Sequence, residues 1–351
     1  MRSEGQGRDR TFVSPYILAL VAAFTLPVPI WQGLNLHVTQ AANEVITETS
    51  ANKSFANPQL LHSFIGHKGT VKSLTFSPKS NILVSGGSEN EGLIHFWNPK
   101  TGRKLGSINK AHKSAVQSVV IAPDGKTLVS CSSDYTINLW NFQNKSFSRS
   151  FVGHTTNVSS LAVSPDSKVL ISGALDGIRL WDLQQQRPLG TLVRFDNLIH
   201  TLAISPDGQT LASGDNKGVI KLWNLRTGKL IRRIVAHSQV VTAVAFMPNG
   251  ATLVSASRDR TIKLWNVNKG TRFRTLTGHN NWVNAIAIHP DGQTLASAGK
   301  DGIKLWDLTT GALTNTLYQH SDWVSAIAFS PDGQYLASGG FDRQINIWRS
   351  Y

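Results

Sequence analysis

From about residue 60 to residue 351, short β-branched apolar runs alternate with polar turn signals every 8–12 residues. The segment Gly278 to Leu308, GHNNWVNAIAIHPDGQTLASAGKDGIKLWDL, displays the pattern. Val283 to Ile288 predicts one strand. HPDG at 289–292 predicts a turn, with Pro at its second position and Gly at its fourth. Thr294 to Ala298 predicts the next strand, and a Gly-containing turn leads to a third at Ile303 to Trp306. A fourth follows at Leu313 to Leu317. No segment carries a helical period of useful length, so the body is all-β.

The pattern repeats. Tryptophans at Trp97, Trp140, Trp181, Trp223, Trp265, Trp306 and Trp348 are separated by 43, 41, 42, 42, 41 and 42 residues, and each ends a near-copy of the same unit. Four strands every ~42 residues is the period of one propeller blade. The units end in LW, or FW in the first and IW in the last, often followed by Asp or Asn. In these motifs residues 60–351 resemble the WD-repeat family of β-propellers. The resemblance implies a toroid of seven four-stranded antiparallel blades. Ring closure is legible in the residues. The last unit stops just after Trp348 and lacks a fourth strand, while LLHSFIGH at 60–67 aligns with RFRTLTGH at 272–279. An N-terminal strand is therefore expected to complete the seventh blade and remove exposed sheet edges.

In the family, a His, a Ser, an Asp and the third-strand Trp form a hydrogen-bonded set within a blade. Five complete sets map here: His112, Ser130, Asp134, Trp140; His154, Ser172, Asp176, Trp181; His237, Ser255, Asp259, Trp265; His279, Ser297, Asp301, Trp306; and His320, Ser338, Asp342, Trp348. A buried carboxylate needs several donors, which imidazole, hydroxyl and turn amides supply. Repetition at 42-residue intervals argues for structure over a catalytic Ser–His–Asp triad, which needs an exposed nucleophile and an oxyanion hole. Two units depart. The first has Glu91 at the Asp position. The fourth has Phe195 for the histidine and Lys217 for the Asp, so it is expected to be held by packing alone or to have its turn freed for another use.

The resemblance also implies a binding face. Family members most often engage partners at the narrow end, through positions three and five residues after the histidine and one before the Asp. These map to Trp282, Asn284 and Lys300, to Trp323, Ser325 and Phe341, and to Arg258, Lys72 and His200. Trp, Phe and Arg together have the composition of an interface hot spot.

Charge adds a second theme. The chain has 351 residues and a formal net charge of +14, and residues 1–59 hold four bases and four acids, so the folded body is the basic part. Five Asp of the sets and five Asp of the turns are committed locally, leaving the surface more basic still. Anionic partners are favoured. No metal spacing, phosphate loop or isolated carboxylate pair is present, and the single Cys131 excludes a disulfide framework. The expected function is a non-enzymatic protein- or peptide-binding scaffold, a monomeric propeller within a complex, without a cofactor. The alternative is binding of an anionic polymer, either nucleic acid or acidic polysaccharide.

Residues 11–43 contain no Lys, Arg, Asp or Glu and follow Arg2, Arg8 and Arg10. Inside them runs YILALVAAFTL, shorter than the ~20 residues of a membrane span. Residues 1–41 are expected to be an export signal cleaved near Ala41, giving a periplasmic or extracellular protein, or an uncleaved membrane anchor over 12–36. Export would make nucleic acid an improbable partner. Residues 42–59 read as a polar linker.

Overall fold

The computed structural model describes residue 55 and residues 57–88, 92–194 and 197–350. These residues form twenty-eight strands in seven four-stranded antiparallel sheets, with no helix among them. Blade one contains Val71–Phe76, Leu83–Gly87, Ile94–Trp97 and Lys104–Ile108, here called strands a to d. Every blade keeps that order. The first strands of neighbouring blades touch one another in sequence, including those of blades seven and one. Strands a thus form the inner ring, and strands d lie outermost.

Blade seven joins Val324–Phe329, Tyr335–Gly340 and Gln344–Arg349 to Gln59–Ile65, its strand d, as the sequence predicts. The register sets Leu60 against Trp348 and Phe64 against Ile345, with a bulge between Leu60 and His62. A strand from the start of the repeats therefore closes a blade at the chain's other end, and every blade has its four strands.

Packing between blades explains the β-branched residue that opens each unit. Val71, Val116, Val158, Val241, Val283 and Val324 are fully buried, and Ile199 nearly so. Each wedges against the sheet before it. A Cβ on Gly86 would lie 2.7 Å from Val116 Cγ1, so the side chain needs a glycine opposite. The third-strand tryptophans pack across the same junctions: Trp306 joins Val254, Ile262 and Val283 in one cluster, and Trp97 joins Val71 and Ile345 in another.

Strand a carries a bulge one residue after its buried opening residue in six blades, at Val71/Ser73, Val116/Ser118, Val158/Ser160, Ile199/Thr201, Val241/Ala243 and Val324/Ala326. A bulge frees one residue from the ladder and re-aims its side chain. In blade six the strand is instead shorter than Val283 to Ile288, running Ala285–Ile288. Its opening residues bond elsewhere: Val283 N–H donates to the Ser257 carbonyl of blade five.

The freed side chains stitch the ring. Ser159 donates to the Ile199 carbonyl at 2.7 Å, Thr242 to Val283 at 2.5 Å, Asn284 to Val324 at 3.1 Å and Ser325 to Val71 at 2.5 Å, each crossing to the next blade. The last closes the seventh blade onto the first.

One side chain within the stretch read as linker packs into the body. Phe55 is 1% exposed and sits in the core between blades six and seven with Ala296, Val324 and Trp348. Its ring meets Phe329 edge-on at 5.1 Å and His289 at 5.9 Å. A single aromatic in a polar run gives no period to read, so this anchor was invisible in the pattern. The signal or anchor expected at 1–41 lies outside the described residues, as does most of the linker.

Phe55→Ala should therefore lower stability by about 3 kcal/mol, the usual cost of emptying a buried phenylalanine site. A chain starting at residue 55 should match the full chain in chemical denaturation. A start at 59 should melt earlier, and a start at 67, without the closing strand, earlier still. Equal midpoints for starts at 55 and 59 would show that Phe55 contributes nothing.

Candidate functional site

The hydrogen-bonded sets form in all five blades where the sequence is complete. In blade five His237 Nδ1 lies 2.9 Å from Asp259, His237 Nε2 lies 2.7 Å from Ser255 Oγ, and Trp265 Nε1 donates to Ser255 Oγ at 2.8 Å. Blade three is tighter at 2.6, 2.7 and 2.8 Å. Blade six repeats it at 2.8, 2.7 and 2.8 Å. In blade seven His320 reaches Asp342 and Ser338, and Trp348 donates to Ser338 at 3.3 Å. In blade two His112 reaches Ser130 at 2.8 Å and Asp134 at 3.2 Å, and Thr136 also donates to that carboxylate.

Donor chemistry fixes the protons. An ionised carboxylate can only accept, so Nδ1 of the neutral imidazole carries the proton and donates to the Asp. Nε2 then accepts from the serine hydroxyl, whose oxygen in turn accepts the indole N–H of tryptophan. Each carboxylate also accepts the backbone N–H after the histidine, from Lys113, Thr155, Ser238, Asn280 or Ser321.

Burial pushes these carboxyls up, but hydrogen bonds outweigh it. His237 and Thr261 hold Asp259 below the ordinary aspartate range, His112 and Thr136 do so for Asp134, and His279 with the Asn280 amide holds Asp301 at about 2. The serines are sealed: Ser130, Ser172, Ser255, Ser297 and Ser338 have no exposure. A substrate carbonyl cannot reach them, so triad-like distances here do not make a hydrolase.

Blade one keeps the His67–Ser85 and Trp97–Ser85 bonds at 2.8 and 2.9 Å. Glu91 lies outside the described residues. His95 stacks on His67 at 4.6 Å and bonds Ser107. Burial, then His95 and nearby Lys104, lower the His67 pKa to about 3. Burial and Lys104 lower that of His95 to about 4.

Blade four departs from the expectation that packing alone holds it. Trp223 still donates to Ser213 at 3.0 Å. A second network then forms around Asp215, two residues before Lys217 and 2% exposed. Asp215 accepts from Asn197 Nδ2 and from the amides of Lys217 and Val219, each at 2.9 Å. The signal in the sequence was an acid displaced two positions toward the N-terminus, where blade five has Ser257. Phe195 lies outside the described residues.

The relays hold the loops before strand a against the turns after strand b, and so build one end of the toroid. Phe341 N–H donates to the Trp323 carbonyl at 2.8 Å. A Cβ on Gly340 would lie 2.6 Å from that carbonyl, and one on Gly299 2.7 Å from the Trp282 carbonyl, so glycine lets both loops close down.

This end brings six of the mapped residues together. Trp282 and Trp323 pair at 5.3 Å between ring centres. Arg258 lies 4.6 Å over Trp282, Lys300 5.9 Å over Trp323, and Lys72 5.0 Å over Phe341. The result is a continuous ladder, Arg258–Trp282–Trp323–Lys300, across blades five to seven. Trp282 and Phe341 stay 42% and 44% exposed. Arg258 Nε has no hydrogen-bond partner among the described residues. Burial lowers the Lys72 pKa. His200 is half-buried on blade four; burial and then Arg258 lower its pKa. Ser325, at the bulge of blade seven, and Asn284, just ahead of the shortened strand a of blade six, are already bonded to the next blade, so their donors face along the ring. No group of three or more potential metal ligands exists among the described residues.

A family profile described as the IFT122 first beta-propeller matches residues 88–269, just over half the chain, and the WD domain, G-beta repeat matches 58–98, 270–307 and 311–349. The chain belongs to the WD-repeat β-propeller family. Among curated proteins it is similar to DDB1- and CUL4-associated factor 13 of Dictyostelium discoideum, 33% identical over 30% of this chain and 24% of that one. It is 29% identical to cell division cycle 20.1, cofactor of APC complex, of Arabidopsis thaliana, over 36% and 29% of the two chains. It is 38% identical to a p21-activated protein kinase-interacting protein 1-like chain of Gallus gallus, over 30% and 26%. These matches span about a quarter of the relatives' lengths, and all three relatives are eukaryotic.

Two predictions test the networks. Asp259→Ala and Asp215→Ala should each destabilise by ~1–3 kcal/mol, since both leave buried donors without an acceptor. Lys217→Ala should cost far less. Urea melts in which Asp215→Ala equals wild type would return blade four to packing alone.

Acidification tests the histidines. His67, His95, His154, His200 and His237 all have lowered pKa values, with burial the largest cause in each. The unfolded chain takes up these protons near pH 6.5 while the folded chain resists, so stability is full above that pH and falls as pH drops below it. The depressed Asp carboxyls add a further loss below about pH 4 by the same linkage. Denaturation midpoints should be flat from pH 8 to 7 and decline from pH 6.5 to 5. His95→Asn should make that decline shallower; an unchanged slope would remove His95 from the account.

Proposed function

We propose that this propeller is a non-catalytic interaction scaffold whose protein partner docks on the aromatic–basic end of blades five to seven. The observation that carries the reading is the Trp282–Trp323 pair, with Trp282 exposed and Trp323 half-buried, and with Arg258 and Lys300 on its faces. Rings held by cations are stiff, so little side-chain entropy is lost when a partner covers them. The guanidinium and ammonium groups leave room for an acidic group at the rim, and cations that flank aromatics favour a carboxylate-bearing segment. Family membership and the names of its relatives, a CUL4-associated factor and a cofactor of APC complex among them, support a role in complexes.

The sealed serines and the repetition of the relay support a non-enzymatic role. We also propose export or membrane anchoring through residues 1–41, supported by their basic start and their uncharged stretch from 11 to 43. No helix among the described residues is long and apolar enough to cross a membrane.

Tagged full-length protein expressed in its native cells should capture a partner that the variant Trp282→Ala/Trp323→Ala loses. Once the partner is purified, that variant should bind it about 30-fold more weakly, equivalent to ~2 kcal/mol. Gln117→Ala with Ser133→Ala, a hydrogen-bonded pair at the same end of blade two, should bind as wild type. Unchanged affinity in the tryptophan variant would move the site elsewhere.

A further inference from the structure

The positive charge of the body is concentrated on its outer edge. From the residue after strand c to the end of strand d, blades one to five carry three, two, two, four and three Lys or Arg residues. Those fourteen equal the formal net charge of the chain. The same stretches contain no Asp or Glu. The matching stretch of blade six, and strand d of blade seven, contain no Lys, Arg, Asp or Glu at all.

Edge protection does not account for this. Charged side chains on an outer strand do discourage edge-to-edge pairing. Blades six and seven have the same unpaired outer edges, with Leu313 and Ile65 exposed, and carry no such charge. Nor does internal structure absorb the arc. Arg232 and Arg274 donate to carbonyls in the next blade's c–d turn, and Lys145 lies over Phe96. Arg149, Arg194, Arg233 and Arg272 are exposed and form no ion pair among the described residues.

We infer that this arc is a binding track for a flexible acidic polysaccharide. The reading is separate from the aromatic end and does not depend on it. Shape selects the occupant. The arc follows a convex rim through five of seven blades. A flat bilayer could meet only one or two of them. Duplex DNA, with a persistence length of about 50 nm, would have to bend tightly to follow the rim. A single nucleic-acid strand gains affinity by stacking bases on aromatic rings. Phe147 and Phe273 are the only aromatics exposed on these outer strands, and they lie in blades two and five. A jointed polymer with a carboxylate or sulfate on successive sugars fits spaced cations without stacking. Arginine, which makes up nine of the fourteen, pairs bidentately with such groups.

The test must separate the track from net charge. Full-length protein is titrated with a size-defined heparin 20-mer as probe, at several salt concentrations. One variant replaces Arg149, Arg194, Arg233 and Arg272 with Gln. A charge-matched control replaces Lys72, Lys113, Arg258 and Lys300 at the aromatic end with Gln. The rim variant should lose at least tenfold in affinity and show a shallower salt dependence. The control should stay within threefold of wild type. Thermal melts check folding, and the pairs Arg149/Arg194 and Arg233/Arg272, replaced separately, carry the same comparison if the fourfold variant fails to fold. Equal losses in rim variant and control would overturn the proposal. So would tighter, rim-dependent binding of a thymidine 20-mer or of phosphatidylserine vesicles than of heparin.

Discussion

The chain Trp–Ser–His–Asp inside five of the seven blades is the interaction on which the rest of the structure leans. Its direction comes from its two ends: a carboxylate can only accept and an indole N–H can only donate. The imidazole proton therefore sits on Nδ1 toward the carboxylate, and the serine gives its hydrogen to Nε2 while accepting from the indole. The relay runs from strand c, through strand b, to the loop ahead of strand a, and ends on a turn amide. It therefore fixes strands b and c and the end loops in one frame. Cooperative hydrogen bonding in a dry setting makes such a frame stiff when every member is satisfied. Here the serines are fully buried and each oxygen has both partners.

A ring of sheets has a second requirement, that blades hold each other. The relay works within a blade and cannot do this. Two devices do. The buried Val or Ile that opens strand a packs into the blade before it, and the bulge that follows frees a side chain to bond the blade after it. At the residue after that opener four of the seven blades make the bond with Ser, Thr or Asn, blade six from a strand a that is shortened and not bulged. Lys72 and His200, at the same position, make none and face the aromatic–basic end. Variation at one structural position thus converts a stitch into a surface group without altering the backbone. This is how a repeat fold acquires an asymmetric face.

Much of this was legible before any coordinates. Tryptophan spacing, turn residues and the displaced strand at 60–67 carry the blade count and the ring closure, because each is a periodic or missing-element signal. The aromatic end was legible in part: register with the repeat placed Trp282, Trp323 and Phe341 at one end. It could not reveal that the cations lie over the rings, since that depends on side chains from different blades meeting. The misses share one cause. Phe55 and Asp215 act as single residues outside the repeat: one is an aromatic in a polar stretch, the other an acid shifted by two positions. A reading built on recurrence has no column in which to see them.

The two surfaces divide the molecule. Blades five to seven hold the aromatics at one end, while the outer edges of blades one to five hold cations without acids. Phe55 packs against Phe329 and His289, beside the a–b turns, at the end opposite Trp282. The chain ahead of residue 55 therefore joins the body away from the aromatic end. That placement leaves the ladder unobstructed by the segment's attachment point. Blade six, whose outer edge is uncharged, adjoins that attachment and also supplies Trp282. The basic rim begins where the aromatic ladder begins, at blade five, and runs in the other direction. A partner on the ladder and a polymer on the rim would approach each other there, where Arg258 and Arg272 lie on the same blade, and at the junction of blades seven and one, where Lys72 lies over Phe341.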